Sequence, residues 1–341
     1  MSQLASRRIN IEYSELEKIP FIDKANVGGR VLTTLTFYDD GKWHFWVPTP
    51  SGLQFLIGHP VESDYFAKDR EGEHDVYLEF LNFMAQRACW MDALKSIKGI
   101  TCDIQNLGAS LAKIELFHAE SLTRKTEVTR FVSTEIEYIF GVCRSIFDLL
   151  QVTIASIWGR VKPIDDEFNK RPLPSSFRKM AMSGNERMSV EQIEEKWCIP
   201  RALAEYYFRQ GEFFEILRSY RDKISHHGHD LKFLFVTDKG FAVIADTEPF
   251  SLFNVWNEEH MQLNRLASLR PVLAHIIIET LRACEEFTIV IQQIVEFPPE
   301  IAPGFKLFLR GHHTKQLLQM NEVLRNCAWW ENLVVPSKQS Q

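Results

Sequence analysis

From about Leu107 to Trp158 the chain runs almost without proline or glycine. Apolar residues recur there at three- and four-residue spacings: Ile136, Ile139, Phe140, Cys143, Phe147, Leu150, Ile154 and Ile157. That period lays them along one face of an α-helix, so long amphipathic helices are predicted. A one-sided helix must bury its apolar stripe against another element, and further partners are legible downstream. Helical periodicity returns at Ser189, takes Pro200 as a first-turn residue, and passes through Leu203, Tyr206, Tyr207, Phe213, Phe214, Leu217 and Tyr220 to His227, where Gly228 stops it. Another long helix is expected from about Leu263 to Phe297. Its most apolar part, Val272 to Phe297, is interrupted by His275, Glu279, Arg282, Glu285 and Glu286, which suits a buried core helix and not a bilayer span.

Two other stretches read as β-hairpins. Arg30 to Tyr38 and Lys42 to Val47 are rich in β-branched and aromatic residues and flank Asp39-Asp40-Gly41. Lys232 to Val236 and Phe241 to Ala245 flank Thr237-Asp238-Lys239-Gly240 in the same way. A helical pattern is expected to resume near His74. With 341 residues the chain exceeds one ordinary core, so the expectation is a small α+β unit over 1–105, a helical bundle with an inserted β-hairpin over 106–297, and a C-terminal helix from Thr314 to Trp330 with a loose tail within 298–341. The fold class expected is therefore mainly α.

The N-terminus carries two arginines but no apolar run of signal-peptide length behind them, so a cytoplasmic protein with no membrane partner is expected. The six cysteines are scattered and none forms Cys-x-x-Cys, which reads as isolated thiols in a reducing compartment. A formal net charge of −6 argues against coating nucleic acid through the overall field, though a local basic groove remains open. Residues 159–190 supply a local positive excess, with Arg160, Lys162, Lys170, Arg171, Arg178, Lys179 and Arg187, read as an ordinary loop first and a phosphate-facing one second.

The sharpest chemical signal is Arg221-Asp222-Lys223-Ile224-Ser225-His226. Metal-independent RNA cleavage needs a group to take the 2′-hydroxyl proton, a cation to stabilise the phosphorane, and an acid for the leaving oxygen. Histidine and arginine supply those roles. Asp222 and His226, four apart, share a helical face, which lets the carboxylate hold the imidazole and favour its protonated form. Arg221 and His226, five apart, are about 140° apart around the helix and must converge through the helix end or a second chain. Upstream, Arg144 and Asp148 are four apart and positioned to pair.

An arginine, a polar residue, three more residues and a histidine, followed by glycine, resemble the signature of HEPN domains, the higher-eukaryote and prokaryote nucleotide-binding family. The helix Glu135 to Asp148 is similar to that family's first long helix. The resemblance spans about Leu107 to Phe297. It implies an antiparallel helical bundle, commonly a homodimer with facing motifs, acting as an endoribonuclease without cofactor or metal. Arg221 and His226 would be the catalytic pair and Asp222 the polar motif residue, with Arg144, Asp148 and His227 accessory. RNA would be the substrate, and a protein antitoxin or phage-defence component the partner.

Other readings compete. A non-catalytic module binding RNA, a nucleotide or a protein through the same face is the alternative. In a purely structural reading Arg221 and Asp222 form surface ion pairs and His226 caps the helix C-terminus. A metal site from His226, His227, His229 and Asp230 is disfavoured, because adjacent helical histidines point about 100° apart. His312-His313 beside Arg310 reads as an exposed polar patch. No Gly-rich phosphate loop, Gly-x-Ser-x-Gly elbow or His-Glu-x-x-His occurs.

Overall fold

The computed structural model describes residues 13–164, 170–227 and 234–330, with side chains over 14–164, 170–220 and 234–330. In chain order, strands β1 (Thr36–Asp39), β2 (Lys42–Thr49), β3 (Gly52–Leu56), β4 (Ser63–Ala67) and β5 (Val76–Tyr77) lead to helix α1 (Glu79–Phe83) and a π-helical turn, Met84–Ala88. The long helices α2 (Met91–Arg124) and α3 (Thr129–Ile157) follow. Next come β6 (Lys162–Pro163), α4 (Phe177–Ala181), β7 (Met182–Ser183), β8 (Glu186–Arg187), α5 (Val190–Trp197) and α6 (Arg201–His227). The chain then forms β9 (Leu234–Thr237), β10 (Gly240–Ile244), β11 (Leu266–Ser268), α7 (Leu269–Ile294), β12 (Val295–Glu296), β13 (Lys306–Arg310) and α8 (Thr314–Arg325).

The result is a mixed α/β fold, 55% helical, in place of the mainly α fold expected. The reason lies in the N-terminal sheet, which has six strands in the order β3-β2-β1-β4-β13-β5. Asp40 and Gly41 both adopt positive φ, 48° and 72°, the requirement of a tight primed turn, so β1 and β2 pair antiparallel as the sequence predicts. β1 starts only at Thr36, because the preceding segment is diverted: Val31 N–H bonds the Cys89 carbonyl and the Thr34 hydroxyl bonds the Asp64 carbonyl. The helical pattern expected near His74 begins at Glu79 instead, since Val76 and Tyr77 pair with β13.

Strand β13 arrives from the far end of the sequence and pairs with both β4 and β5. The π-helical turn holds its approach. The buried Gln86 side chain donates to the carbonyls of Ala302 (3.1 Å) and Phe305 (2.8 Å) and accepts from Ala302 N–H (2.9 Å). Asn82 accepts from Leu307 N–H at 3.0 Å. The expected boundary near 105 falls inside α2, and residues of the expected C-terminal segment complete the sheet of the expected N-terminal unit.

Alternation along the strands gives the sheet two faces. Phe37, Phe66, Leu307 and Leu309 enter the main core, while Tyr65, Ala67 and Phe308 form a second cluster with Tyr38 and Trp43 on the outer face. Under the inner face lie the helices. α2 and α3 are antiparallel, as the contacts Ser96 with Thr153 (2.8 Å), Lys113 with Glu135 (3.0 Å) and Phe117 with Phe131 (5.5 Å) run in opposite directions along the two. α3 is long and apolar enough to cross a membrane by length and composition, but over half of its most apolar window is buried within the protein.

The second hairpin forms as β9 and β10, and becomes three-stranded because Leu266, Ala267 and Ser268 pair with Ile244, Val243 and Ala242. That pairing shortens the expected helix from Leu263 to one beginning at Leu269. The helix expected over Thr314 to Trp330 ends at Arg325, and Cys327 takes a positive φ of 43°. Trp330 turns back onto Phe241, with ring centroids 5.8 Å apart.

One close approach ties α8 to the bundle. A Cβ added at Gly108 of α2 would stand 2.6 Å from the His313 carbonyl oxygen, a backbone atom with little freedom to yield. Gly108→Ala is expected to destabilise the fold by about 1–3 kcal/mol despite alanine's better helix propensity. Equilibrium unfolding in urea checks this, and a neutral or stabilising result would contradict it.

A second local prediction concerns α7. Glu285 accepts the Phe80 N–H at the start of α1 (3.0 Å), and burial pushes its carboxyl up from 4.5 to about 7, with Glu79 adding to the rise. The folded protein thus binds this proton more tightly than the unfolded chain. Its contribution to stability is full below about 4.5 and is lost as pH rises through about 7. Glu285→Gln keeps the acceptor without the charge. The variant is expected to flatten the stability profile between those values and to be more stable above pH 7 by about 1–2 kcal/mol, allowing for partial solvent screening.

Candidate functional site

α6 carries the candidate motif at its C-terminal end. The Pro200 carbonyl accepts the N–H groups of Leu203 and Ala204, opening the helix as its first-turn position predicts. Cys198, in left-handed conformation, separates it from α5, whose start is fixed by a Ser189/Gln192 capping box. Leu203, Tyr206, Tyr207, Phe214, Leu217 and Tyr220 are buried. Their partners set the register: Tyr207 OH donates to Gln151 Oε1 (2.6 Å), Phe214 lies 5.8 Å from Phe147, and Tyr220 lies 4.3 Å from Phe140 between ring centroids. As α6 advances α3 recedes, so the two are antiparallel. Tyr206 against Phe287, with centroids 5.2 Å apart, docks the same helix on α7.

The backbone of Arg221 to His227 continues α6, so Arg221, Asp222, His226 and His227 occupy its last turns. Their side chains, and residues 228–233 altogether, lie outside the described residues. Helical spacing still assigns positions. Arg221 follows Phe214 and Leu217 at steps of seven and four, placing it in register with the buried stripe. Asp222 and His226 continue the row of Glu215 and Ser219 on the other side. In that row Glu215 Oε1 accepts from Arg218 (2.9 Å) and from the Ser219 hydroxyl (3.3 Å). The motif's arginine and histidine thus occupy different sides of one helix.

The structure brings Arg144 and Asp148 together, with Nη2 to Oδ2 at 3.0 Å. The pair is partly buried. Asp148 Oδ1 also accepts the Phe177 N–H at 3.3 Å, at the first turn of α4, a role that i,i+4 spacing alone does not reveal. Arg144 is one turn beyond Phe140, the residue that meets Tyr220, and Asp148 is a turn farther; both run away from the motif end of α6. Gln151, two residues on from Leu149 and almost fully buried, is not singled out by sequence reasoning, yet it joins Tyr207 to the Pro174 carbonyl (2.8 Å). A glutamine inside an apolar helical stripe is the available signal.

The positive excess of 159–190 is largely engaged within the protein. Lys170 donates to the carbonyls of Trp158 and Val161 at the end of α3, Arg178 to the Gly184 carbonyl and Asn185, and Arg187 to Glu212 and the Phe208 carbonyl. Arg160 pairs with Asp92. These contacts favour the ordinary-loop reading over the phosphate-facing one, because a guanidinium bonded to carbonyls has fewer donors left for phosphate.

Among the described residues no three His, Cys, Asp or Glu side chains converge as metal ligands. His312 and His313 are exposed at the start of α8. All six cysteines are free; Cys102 is exposed, while Cys89, Cys143, Cys284 and Cys327 are buried. No family model matches the chain, and no curated protein or solved structure matches it.

Proposed function

We propose that this protein is a metal-independent endoribonuclease of HEPN type, in which His226 acts as acid and base and Arg221 stabilises the phosphorane. What carries the reading is the run Arg221-Asp222-x-x-x-His226 in the closing turns of α6, a long helix packed antiparallel on α3. A helix end frees side chains and backbone groups from the bundle seam, and two such ends from a homodimer make a cleft lined by both motifs. Asp222, on the His226 side, orients the imidazole. The Arg144–Asp148 pair supports the site indirectly, by fixing the segment leading to α4. A cytoplasmic setting, with an antitoxin or phage-defence partner restraining the activity, belongs to the same reading.

The decisive experiment incubates purified protein with end-labelled single-stranded RNA in excess chelator. Cleavage that persists with chelator supports the reading. RNA retention without product favours the non-catalytic binding module, and neither product nor retention overturns both.

A further inference from the structure

Away from the α6 end, a cavity of about 700 Å³ opens between the diverted segment before β1, the edge of β2 and the start of α2. Its walls are mainly apolar, with Leu35, Trp46 and Ile301 among them, and six polar residues join them: Arg30, Thr33, Thr34, Thr36, Asp64 and Lys98. The Arg30 guanidinium is taken up by the carbonyls of Asn26, Val27 and Gln86. Ligand sites of this size are typically apolar with a few convergent polar groups.

Two of these groups, the Asp64 carboxylate and the Thr33 hydroxyl, have no side-chain partner among the described residues. Asp64 lies two residues before the core-facing Phe66, so strand alternation turns it to the inner side of the sheet. Its backbone carbonyl is occupied by the hydroxyls of Thr34 and Ser63, yet its carboxylate has no hydrogen bond or ion pair to another side chain among the described residues. Burial pushes this carboxyl upward, and Lys98 opposes the shift from nearby without closing into an ion pair. The Thr33 hydroxyl, on a residue 3% exposed, also has no hydrogen-bond partner. The Asp64 carboxylate has its own backbone N–H as a hydrogen-bond partner and Lys98 nearby, but no ion pair. A carboxylate held against apolar walls in that way is costly, and the cost falls when a cationic group docks on it.

We propose that this cavity binds a small zwitterion with an apolar body, of the short-peptide class, its ammonium on Asp64 and its carboxylate on Lys98. A simple cation would leave Lys98 unmatched, and a simple anion would leave Asp64 so. The apolar walls accept aliphatic side chains, and the volume suits a dipeptide better than one amino acid. The site is separate from the α6 end, so its failure would leave the endoribonuclease reading untouched.

The test is calorimetric titration of the full chain with leucyl-leucine, N-acetyl-leucyl-leucine and leucyl-leucine amide. Leucyl-leucine is expected to bind, and blocking either terminus to weaken it at least about tenfold. Asp64→Asn is expected to weaken leucyl-leucine equally but to leave the acetylated peptide unchanged, and Lys98→Met to do the same for the amide. Lys98 is exposed, so its variant retains the fold even if Asp64→Asn does not. No binding of leucyl-leucine up to about 10 mM, or binding indifferent to both blocked termini and both substitutions, overturns the proposal.

Discussion

Asp75→Ala is expected to destabilise the protein by about 3–5 kcal/mol, seen as a large fall in the urea midpoint at neutral pH. On the outer face of the sheet, Asp75 is the hub of a buried polar cluster. Arg310 Nε and Nη2 donate to its two oxygens at 3.1 and 2.9 Å, Tyr65 OH donates at 2.7 Å, and Gly72 N–H at 2.8 Å. The guanidinium sits 4.7 Å from the centre of the Trp43 ring and 5.7 Å from that of Tyr65, with Glu71 as a second acidic partner. Burial, and then the bond to Asp75, hold the Tyr65 phenol well above its ordinary range, so it stays a donor. Removing Asp75 takes the acceptor from four donors of three residues at once, in a site where water has little access. The cluster also joins β4 to β13, so its loss loosens the strand that closes the sheet. A double variant, Asp75→Leu with Arg310→Met, should recover much of the loss, since well-packed apolar pairs commonly replace buried ion pairs at little cost. A fall below about 1 kcal/mol for Asp75→Ala would show that Glu71 alone suffices for Arg310.

Arg310 also illustrates what sequence could not carry. In the chain it neighbours His312 and His313 and reads as part of an exposed patch, yet it is buried, because the strand containing it pairs with β4. Nothing local to Lys306 to Arg310 names a partner more than two hundred residues away; that partner follows from Gln86 and Asn82 binding the approach segment. Local signals fare well where the physics is local. The Asp40-Gly41 turn, the apolar stripe of α3, the Pro200 start of α6 and the Arg144–Asp148 pair all stand where spacing predicts. β11 is hidden because Leu266-Ala267-Ser268 adjoins a strongly helical run, and pairing with β10 overrides its local preference. The Asp64 cavity has no sequence signal, since Asp64 and Lys98 are far apart along the chain and come together only where β4 meets α2.

For the candidate motif, His226→Ala is expected to lower RNA cleavage in chelator by about 10²–10⁴-fold, the usual worth of a positioned acid–base group. Arg221→Ala is expected to lower it by about 10²–10³-fold, as loss of a charge-stabilising donor does. Both are expected to leave thermal unfolding nearly unchanged if their role is chemical; a loss of stability with cleavage unaltered would favour the structural reading of a capped helix end. Their placement on different sides of α6 permits a sharper experiment. If one copy supplies Arg221 and its partner His226, mixing the two inactive variants regenerates one intact site in each heterodimer. Heterodimers make up half of a random mixture and each holds one of two sites, so about a quarter of wild-type activity should return. If both groups come from the same chain, the mixture stays as inactive as its components. Recovery on mixing would therefore locate the active site at the junction of two α6 ends, whereas its absence would leave convergence at the helix end of one chain as the way to bridge the roughly 140° separation of Arg221 and His226.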